Sequence, residues 1–342
     1  PRRKKQKKSY CCRPWMFQSF LLASMLACVI GVKLFLVAQQ NNQSKQQHIT
    51  KWRDLNLADI HHWCLQPNVT SCKCANPLQP THRHGHKTWT EAHHENIKLA
   101  KNNMPKKTPF RELDVVFLGD SITEGWRGTS FGQQVEKKEA NVHVFEELFD
   151  MDKGGELDGL VLGIAGDKSQ NLLWRIQNGE VPRKLKSKVF WVLIGTNDFL
   201  KEGLDQCSDE VVLMGIERIV EELMVIRPAS TIVINGLLPR AIGNEHGKIY
   251  QRGKHTVMDA IDTVNKHLKE FCDHHDDLEY FDPKEIFVGT DPTLGSGRFA
   301  EYIPEKLMYD RLHPTALGYR LWGNIIVEEL RSILNGKLTV ER

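Results

Sequence analysis

The sequence predicts an α/β fold, a parallel sheet of about five strands covered by helices on both faces. Two observations carry this. From about residue 110 to 335, short apolar runs alternate with segments of helical period, and strand–helix alternation builds parallel sheets. The residues with the most chemistry follow those apolar runs directly, where open α/β sheets hold their ligands.

The expected strands are Val115–Leu118, Leu160–Ile164, Val189–Ile194, Thr231–Ile234 and Leu278–Phe281. Each is a short, nearly unbroken apolar run, as strands buried on both faces are. The expected helices are Ser169–Gln177, Ser208–Ile226, Lys254–Cys272 and Thr315–Leu334. In the second, Val211, Val212, Ile216, Ile219, Val220, Leu223 and Ile226 recur at helical spacing. The apolar fraction of 40% suits an ordinary core, and no internal repeat is found.

The N-terminal third reads differently. Residues 1–14 hold seven Lys/Arg and no acid, so the net charge of +3 hides a body near −4. That body offers no basic face for nucleic acid. Residues 15–38 are almost wholly apolar and are expected to form one transmembrane signal-anchor, since about 20 such residues span a bilayer. The flanking cations place the N-terminus in the cytoplasm and the body in the lumen or outside. A cleaved signal peptide is the competing reading. The sequons at Asn42 and Asn68 suit a lumenal body, and Cys11 and Cys12 lie where palmitoylation occurs.

Residues 39–109 read as a Gln/Asn-rich stalk and a neck, followed by a catalytic domain over 110–335 and a tail over 336–342. The neck holds Cys64, Cys72 and Cys74 with His61, His62, His82, His84, His86, His93 and His94. Two readings stay open for it: a His/Cys metal site, or a poorly structured segment with one disulfide. Cys207 and Cys272 bring the lumenal cysteines to five, and the pairing is not readable.

Two motifs carry the chemistry. Gly119-Asp120-Ser121 puts a serine hydroxyl after the first strand. Asp310-Arg311-Leu312-His313 puts a carboxylate three residues before a histidine, so that one turn presents both. Ser121 as nucleophile, His313 as base and Asp310 as its orienter are what acyl transfer needs. Gly166 follows the second strand and Asn197 the third. The N–H groups of Ser121 and Gly166 and the Asn197 amide are the expected oxyanion donors. No cofactor and no metal are expected at this site. Gly128-Thr129-Ser130-Phe131-Gly132 mimics a nucleophile elbow, but no strand precedes it, so Ser130 is set aside. Trp174 and Trp191 read as core, and Asp167 and Asp198 as structural neighbours of the site.

Four blocks in order resemble the GDSL, or SGNH, hydrolase family: Gly119-Asp120-Ser121-Ile122, Gly163-Ile164-Ala165-Gly166-Asp167, Gly195-Thr196-Asn197-Asp198 and Asp310-Arg311-Leu312-His313-Pro314. The resemblance implies a flavodoxin-like three-layer fold, with Ser121, Gly166, Asn197, Asp310 and His313 in the roles above. Leu173-Trp174-Arg175, Asn178-Gly179-Glu180 and Asn235-Gly236-Leu237-Leu238-Pro239-Arg240 are similar to catalytic subunits of the platelet-activating-factor acetylhydrolase Ib type. That likeness implies a small acyl-ester substrate, acetyl above all, and a homodimer. The expected activity is therefore ester hydrolysis in the secretory pathway, on an acetylated glycan or lipid. The rival readings are an O-acyltransferase using the same triad on a sugar, and an inactive glycan-binding module.

Overall fold

The computed structural model describes residues 75–104, 112–199, 209–241 and 246–340. Five parallel strands form the central sheet: β1 (Leu113–Gly119), β2 (Gly159–Gly163), β3 (Ser187–Leu193), β4 (Thr231–Asn235) and β5 (Leu278–Phe281). All five expected strands are present, each within two residues of its expected ends. Their order is β2-β1-β3-β4-β5. The winding reverses between β1 and β3, and such a switch point opens a crevice beyond the strand ends. β1 is central and buried at all seven positions, which is why it reads as an unbroken apolar run. Gly119 pairs in register with Gly163 of β2 and Leu193 of β3. Three strands from separate parts of the chain therefore end at one level.

Among the described residues, six helices of seven residues or more surround the sheet: α1 (Lys87–Asn102), α2 (Glu139–Phe149), α3 (Ser169–Arg175), α4 (Asp209–Ile226), α5 (Val257–Cys272) and α6 (Ala316–Val340). α2 packs on α6, while α3 packs on α4 and α4 on α5. The four expected helices are α3 to α6, with shifted ends. α3 stops at Arg175 and passes into a wide turn, Ile176–Glu180, where Gly179 takes φ +105°. α5 starts at Val257 because Thr256 and Asp259 cap it reciprocally, the Asp259 carboxylate accepting the Thr256 N–H at 2.7 Å. α6 runs past the expected domain end at 335.

The neck is the main correction. Residues 87–102, in the neck left open between a metal site and a poorly structured segment, form α1 packed on the domain. Its buried face is Trp89, Ala92, His93, Asn96 and Ala100. The spacing is helical, but His93 and Asn96 interrupt the apolar face, so periodicity does not reveal it. Among the described residues, no group of three or more His, Cys, Asp or Glu side chains is placed to hold a metal ion. His82 instead packs edge-on against Trp89 and Trp174, with ring centroids 4.9 and 4.6 Å away. Trp174 is thus half-buried in this cluster, and Trp191 is core, its Nε1 donating to Asn235 at 2.9 Å. Cys272 is buried and free, so it belongs to no disulfide.

The anchor at 15–38, the stalk, Asn42, Asn68, Cys11, Cys12, Cys64, Cys72, Cys74 and Cys207 lie outside the described residues. Among the described residues, no helix is long and apolar enough to cross a membrane.

Between β1 and the α2–α6 layer lies an aromatic core. Phe117 meets Phe149 at 5.1 Å, and Trp126 meets Tyr319 at 4.5 Å and Trp322 at 5.4 Å. The Tyr319 hydroxyl donates to the Ile122 carbonyl at 2.6 Å, tying α6 to the turn after β1.

Trp89 is fully buried and donates through Nε1 to Asp167 at 2.6 Å. Trp89→Ala is expected to cost about 3–5 kcal/mol of unfolding free energy in urea titrations. Thr90→Ala on the same helix should cost well under half of that. Equal small effects would mean that α1 contributes little to the fold.

Candidate active site

The turn after β1 is built by close approach. A β-carbon on Gly119 would lie 2.2 Å from the Leu193 carbonyl, so no other residue fits there. Asp120 caps the next turn, Ser121–Glu124, its carboxylate accepting the Ile122 N–H at 2.9 Å. Ser121 thereby becomes the first residue of a helical turn, at the end of the central strand and partly open to solvent.

The second motif closes on it from the far end of the chain. Asp310 Oδ1 accepts the N–H groups of Leu312 at 3.1 Å and His313 at 2.7 Å. Arg311 takes the left-handed conformation, φ +62°, to make this turn. Asp310 Oδ2 then lies 2.6 Å from His313 Nδ1, and His313 Nε2 lies 2.9 Å from Ser121 Oγ. Burial raises the Asp310 carboxyl, but the hydrogen bonds from His313 outweigh this and hold it below its ordinary value. Asp310 thus stays ionised and favours the proton on Nδ1. Nε2 is then the ring nitrogen facing the Ser121 hydroxyl.

Gly166 and Asn197 reach the same crevice. Gly166 follows β2 with φ +73°, which an L side chain rarely adopts, and it is exposed. Asn197 follows β3 and is buried. Its amide donates to the Asp167 carbonyl at 2.9 Å and makes a longer, 3.4 Å contact with Asp120. The structure therefore brings Ser121, His313 and Asp310 into one hydrogen-bonded line, with Gly166 and Asn197 on the neighbouring strand ends. Ser130 lies apart from that line, in a two-residue ribbon strand (Thr129–Ser130) paired with Gln133–Gln134.

Three supporting residues were not legible as such in the sequence. Glu124 is fully buried and accepts from the N–H groups of Ala165 (2.7 Å), Gly132 (2.7 Å) and Phe131 (3.1 Å) and from the Thr129 hydroxyl (2.9 Å). The elbow-like 128–132 sequence is thus a cradle for a carboxylate. Arg175 is fully buried and donates to the carbonyls of Gly119 (2.7 Å) and Leu162 (3.1 Å), to Asp167 (2.6 Å) and to Glu180. Burial opposes its charge, and Glu180 and Asp167 more than offset this. Glu180 also accepts from Asn96 and lies 2.7 Å from His93 Nδ1, so α1 joins the same network. The third is Arg83, which lies on Gly166. Arg175 and Glu180 stand in blocks that carry the family resemblance, so their presence was visible although their roles were not. Asp167 and Asp198 are structural neighbours, the latter accepting from the Ser169 N–H and hydroxyl at 3.0 and 2.8 Å.

Residues 117–321 match the GDSL-like Lipase/Acylhydrolase family. The chain belongs to that family. It is a carboxylic ester hydrolase. Platelet-activating factor acetylhydrolase IB subunit alpha1 of Rattus norvegicus is 28% identical over 231 residues, 68% of this chain and 77% of the relative. Subunit alpha2 of Homo sapiens is 28% identical over 235 residues, 69% of this chain and 80% of the relative. Among solved structures, a GDSL-like lipase from Bacteroides thetaiotaomicron is similar with a TM-score of 0.49 and 19% identity, covering 71% of this chain and 97% of that one.

Two outcomes test this acylhydrolase scaffold. Arg175→Lys keeps a charge but loses the planar fork, leaving carboxylates and carbonyls unpaired. It is expected to lower unfolding free energy by about 3–5 kcal/mol; a loss below 1 kcal/mol would show that the network adds little. Burial pushes Asp120 up to about 7, with Asp167 and Asp198 adding to the rise against the Ile122 N–H. Its folded value exceeds its unfolded one, so the folded state binds the extra proton. This contribution is complete below about pH 4 and is lost as pH rises through 7. Relative to Asp120→Asn, the wild type should lose stability between pH 4 and 7, by roughly 4 kcal/mol at most. Parallel denaturation curves would remove Asp120 from the account.

Proposed function

We propose that this chain is a serine esterase acting on small acyl esters, acetyl above all. The observation that carries the reading is the hydrogen-bonded line from Asp310 through His313 to Ser121 at the end of the central strand. His313 Nε2 takes the hydroxyl proton as Ser121 Oγ attacks the ester carbonyl. The negative charge on the carbonyl oxygen falls to the N–H groups of Ser121 and Gly166 and to the Asn197 amide. One such donor is typically worth about 3–4 kcal/mol in the transition state. As the tetrahedral intermediate collapses, His313 passes its proton to the leaving alcohol and the acyl group stays on Ser121. Water, deprotonated by His313, then attacks the acyl-enzyme and releases the acid. Asp310 stabilises the imidazolium in both halves.

The small acyl group is supported by relatives named acetylhydrolases. The proposed setting rests on the sequence alone: the basic cluster and apolar run of residues 1–38 favour an anchored protein with its catalytic domain in the lumen or outside. Acetylated glycans or lipids are the substrates that setting offers.

The full chain should hydrolyse 4-nitrophenyl acetate faster than the butyrate. Ser121→Ala should lose roughly a thousandfold or more in kcat/KM, while Ser130→Ala keeps most of the activity. Activity surviving Ser121→Ala would sink the assignment. Acyl transfer to an added sugar with little hydrolysis would replace hydrolase by transferase.

A further inference from the structure

The segment before α1 reaches the lip of the crevice. The Thr81 N–H donates to the Gln170 carbonyl, and the Asn171 amide donates to the Thr81 carbonyl, both at 2.9 Å. These bonds pin the chain beside α3, two residues before Arg83. The Arg83 guanidinium lies on the face of Gly166 where a side chain would project. A β-carbon there would be 3.3 Å from Nη1 and 3.4 Å from Nη2. Nη1 donates to the Ala165 carbonyl at 2.8 Å, and the Phe131 ring lies 5.5 Å from Cζ. One edge of the fork is thus fixed, while Nε and Nη2 have no hydrogen-bond partner among the described residues.

Among the described residues, the charge on Arg83 is poorly matched. The carboxylate it meets is Asp167, at 3.5 Å. Asp167 already accepts from Arg175 and from Trp89, each at 2.6 Å. The adjacent His82 does not compete as a cation, since burial first, then His84 and His93, lower its pKa. Gly166 itself is exposed. A fixed planar cation with a free edge, beside the glycine assigned to hold the ester oxygen, is built to receive an anion.

We propose that Arg83 is a specificity-determining residue that binds an anionic group, such as a carboxylate, on the alcohol portion of the substrate ester. This rests on the esterase reading above, because an acetyl group has no atoms to carry that charge. Arg83 lies upstream of residues 117–321, the part of the chain that matches the family. The preference would therefore be set from outside the residues 117–321 that carry the family match.

The test compares 4-nitrophenyl acetate with 3-carboxy-4-nitrophenyl acetate, using the full chain, Arg83→Gln and Arg83→Lys. The readout is the ratio of kcat/KM for the two esters. The wild type should favour the carboxylated ester, and Arg83→Gln should collapse the ratio by roughly 10- to 100-fold through KM, with partial recovery in Arg83→Lys. A wild-type ratio near one overturns the proposal. So does an equal loss on both esters in Arg83→Gln, which would make Arg83 only a prop for the Ala165–Gly166 turn. A wild type inactive on both esters is a failure of the esterase reading instead. Calorimetric binding of the carboxylated ester to Ser121→Ala then decides alone: binding weakened in Ser121→Ala/Arg83→Gln supports the anion contact, and equal binding refutes it.

Discussion

One guanidinium, that of Arg175, holds the strand ends together. Strands that stop at the same level leave carbonyls near their ends with incomplete ladder pairing, and buried carbonyls left unpaired are costly. Arg175 answers two of them at once, Gly119 on β1 and Leu162 on β2, and spends its remaining donors on Asp167 and Glu180. A fully buried charge is tolerable only when its whole fork is satisfied, and here each nitrogen has a partner. The two loops that matter, after β1 and after β2, are thereby held to a common frame.

The rest of the site is suspended from that frame. Glu124 takes the Ala165 N–H on one side and the 129–132 cradle on the other, so the turn bearing Ser121 and the turn bearing Gly166 share a carboxylate. Tyr319 fastens α6 to the Ile122 carbonyl from the opposite layer. α6 in turn begins just after His313, with the Thr315 hydroxyl accepting the Gly318 N–H. His313 is therefore positioned by the same helix that grips the turn bearing Ser121. Such shared supports keep catalytic groups within the narrow tolerance that acyl transfer needs.

The N-terminal segment enters this scheme through polar contacts. Trp89 reaches Asp167, and His93 and Asn96 reach Glu180. These are the two acids that Arg175 binds, so α1 completes the network from outside. A helix docked by histidine and asparagine suits a surface already rich in buried charge, where an apolar face would leave those acids less well satisfied.

Much of the fold was legible because it depends on local pattern. Five apolar runs gave five strands, since the central strands β1 and β4 are buried throughout and even the edge strand β5 buries both of its ends, Leu278 and Phe281. The dyad was legible for the same reason: Asp310 and His313 are joined by one turn, so their spacing already implies their contact. α1 was not legible, because His93 and Asn96 interrupt the buried face made by Trp89, Ala92 and Ala100. α2 was obscured by the near-alternating Val142-His143-Val144-Phe145. The roles of Arg175, Glu124 and Arg83 were also hidden, since each acts on backbone from a distant part of the chain. The sequence by itself determined the five strands and helices α3 to α6, the Ser121, Gly166 and Asn197 positions at strand ends, and the Asp310–His313 turn, because these follow from neighbours within a few residues. Only the tertiary structure decided that the three strands end in one register, that the neck packs as part of the domain, and that a guanidinium covers Gly166, because these depend on which buried partners meet when the chain closes.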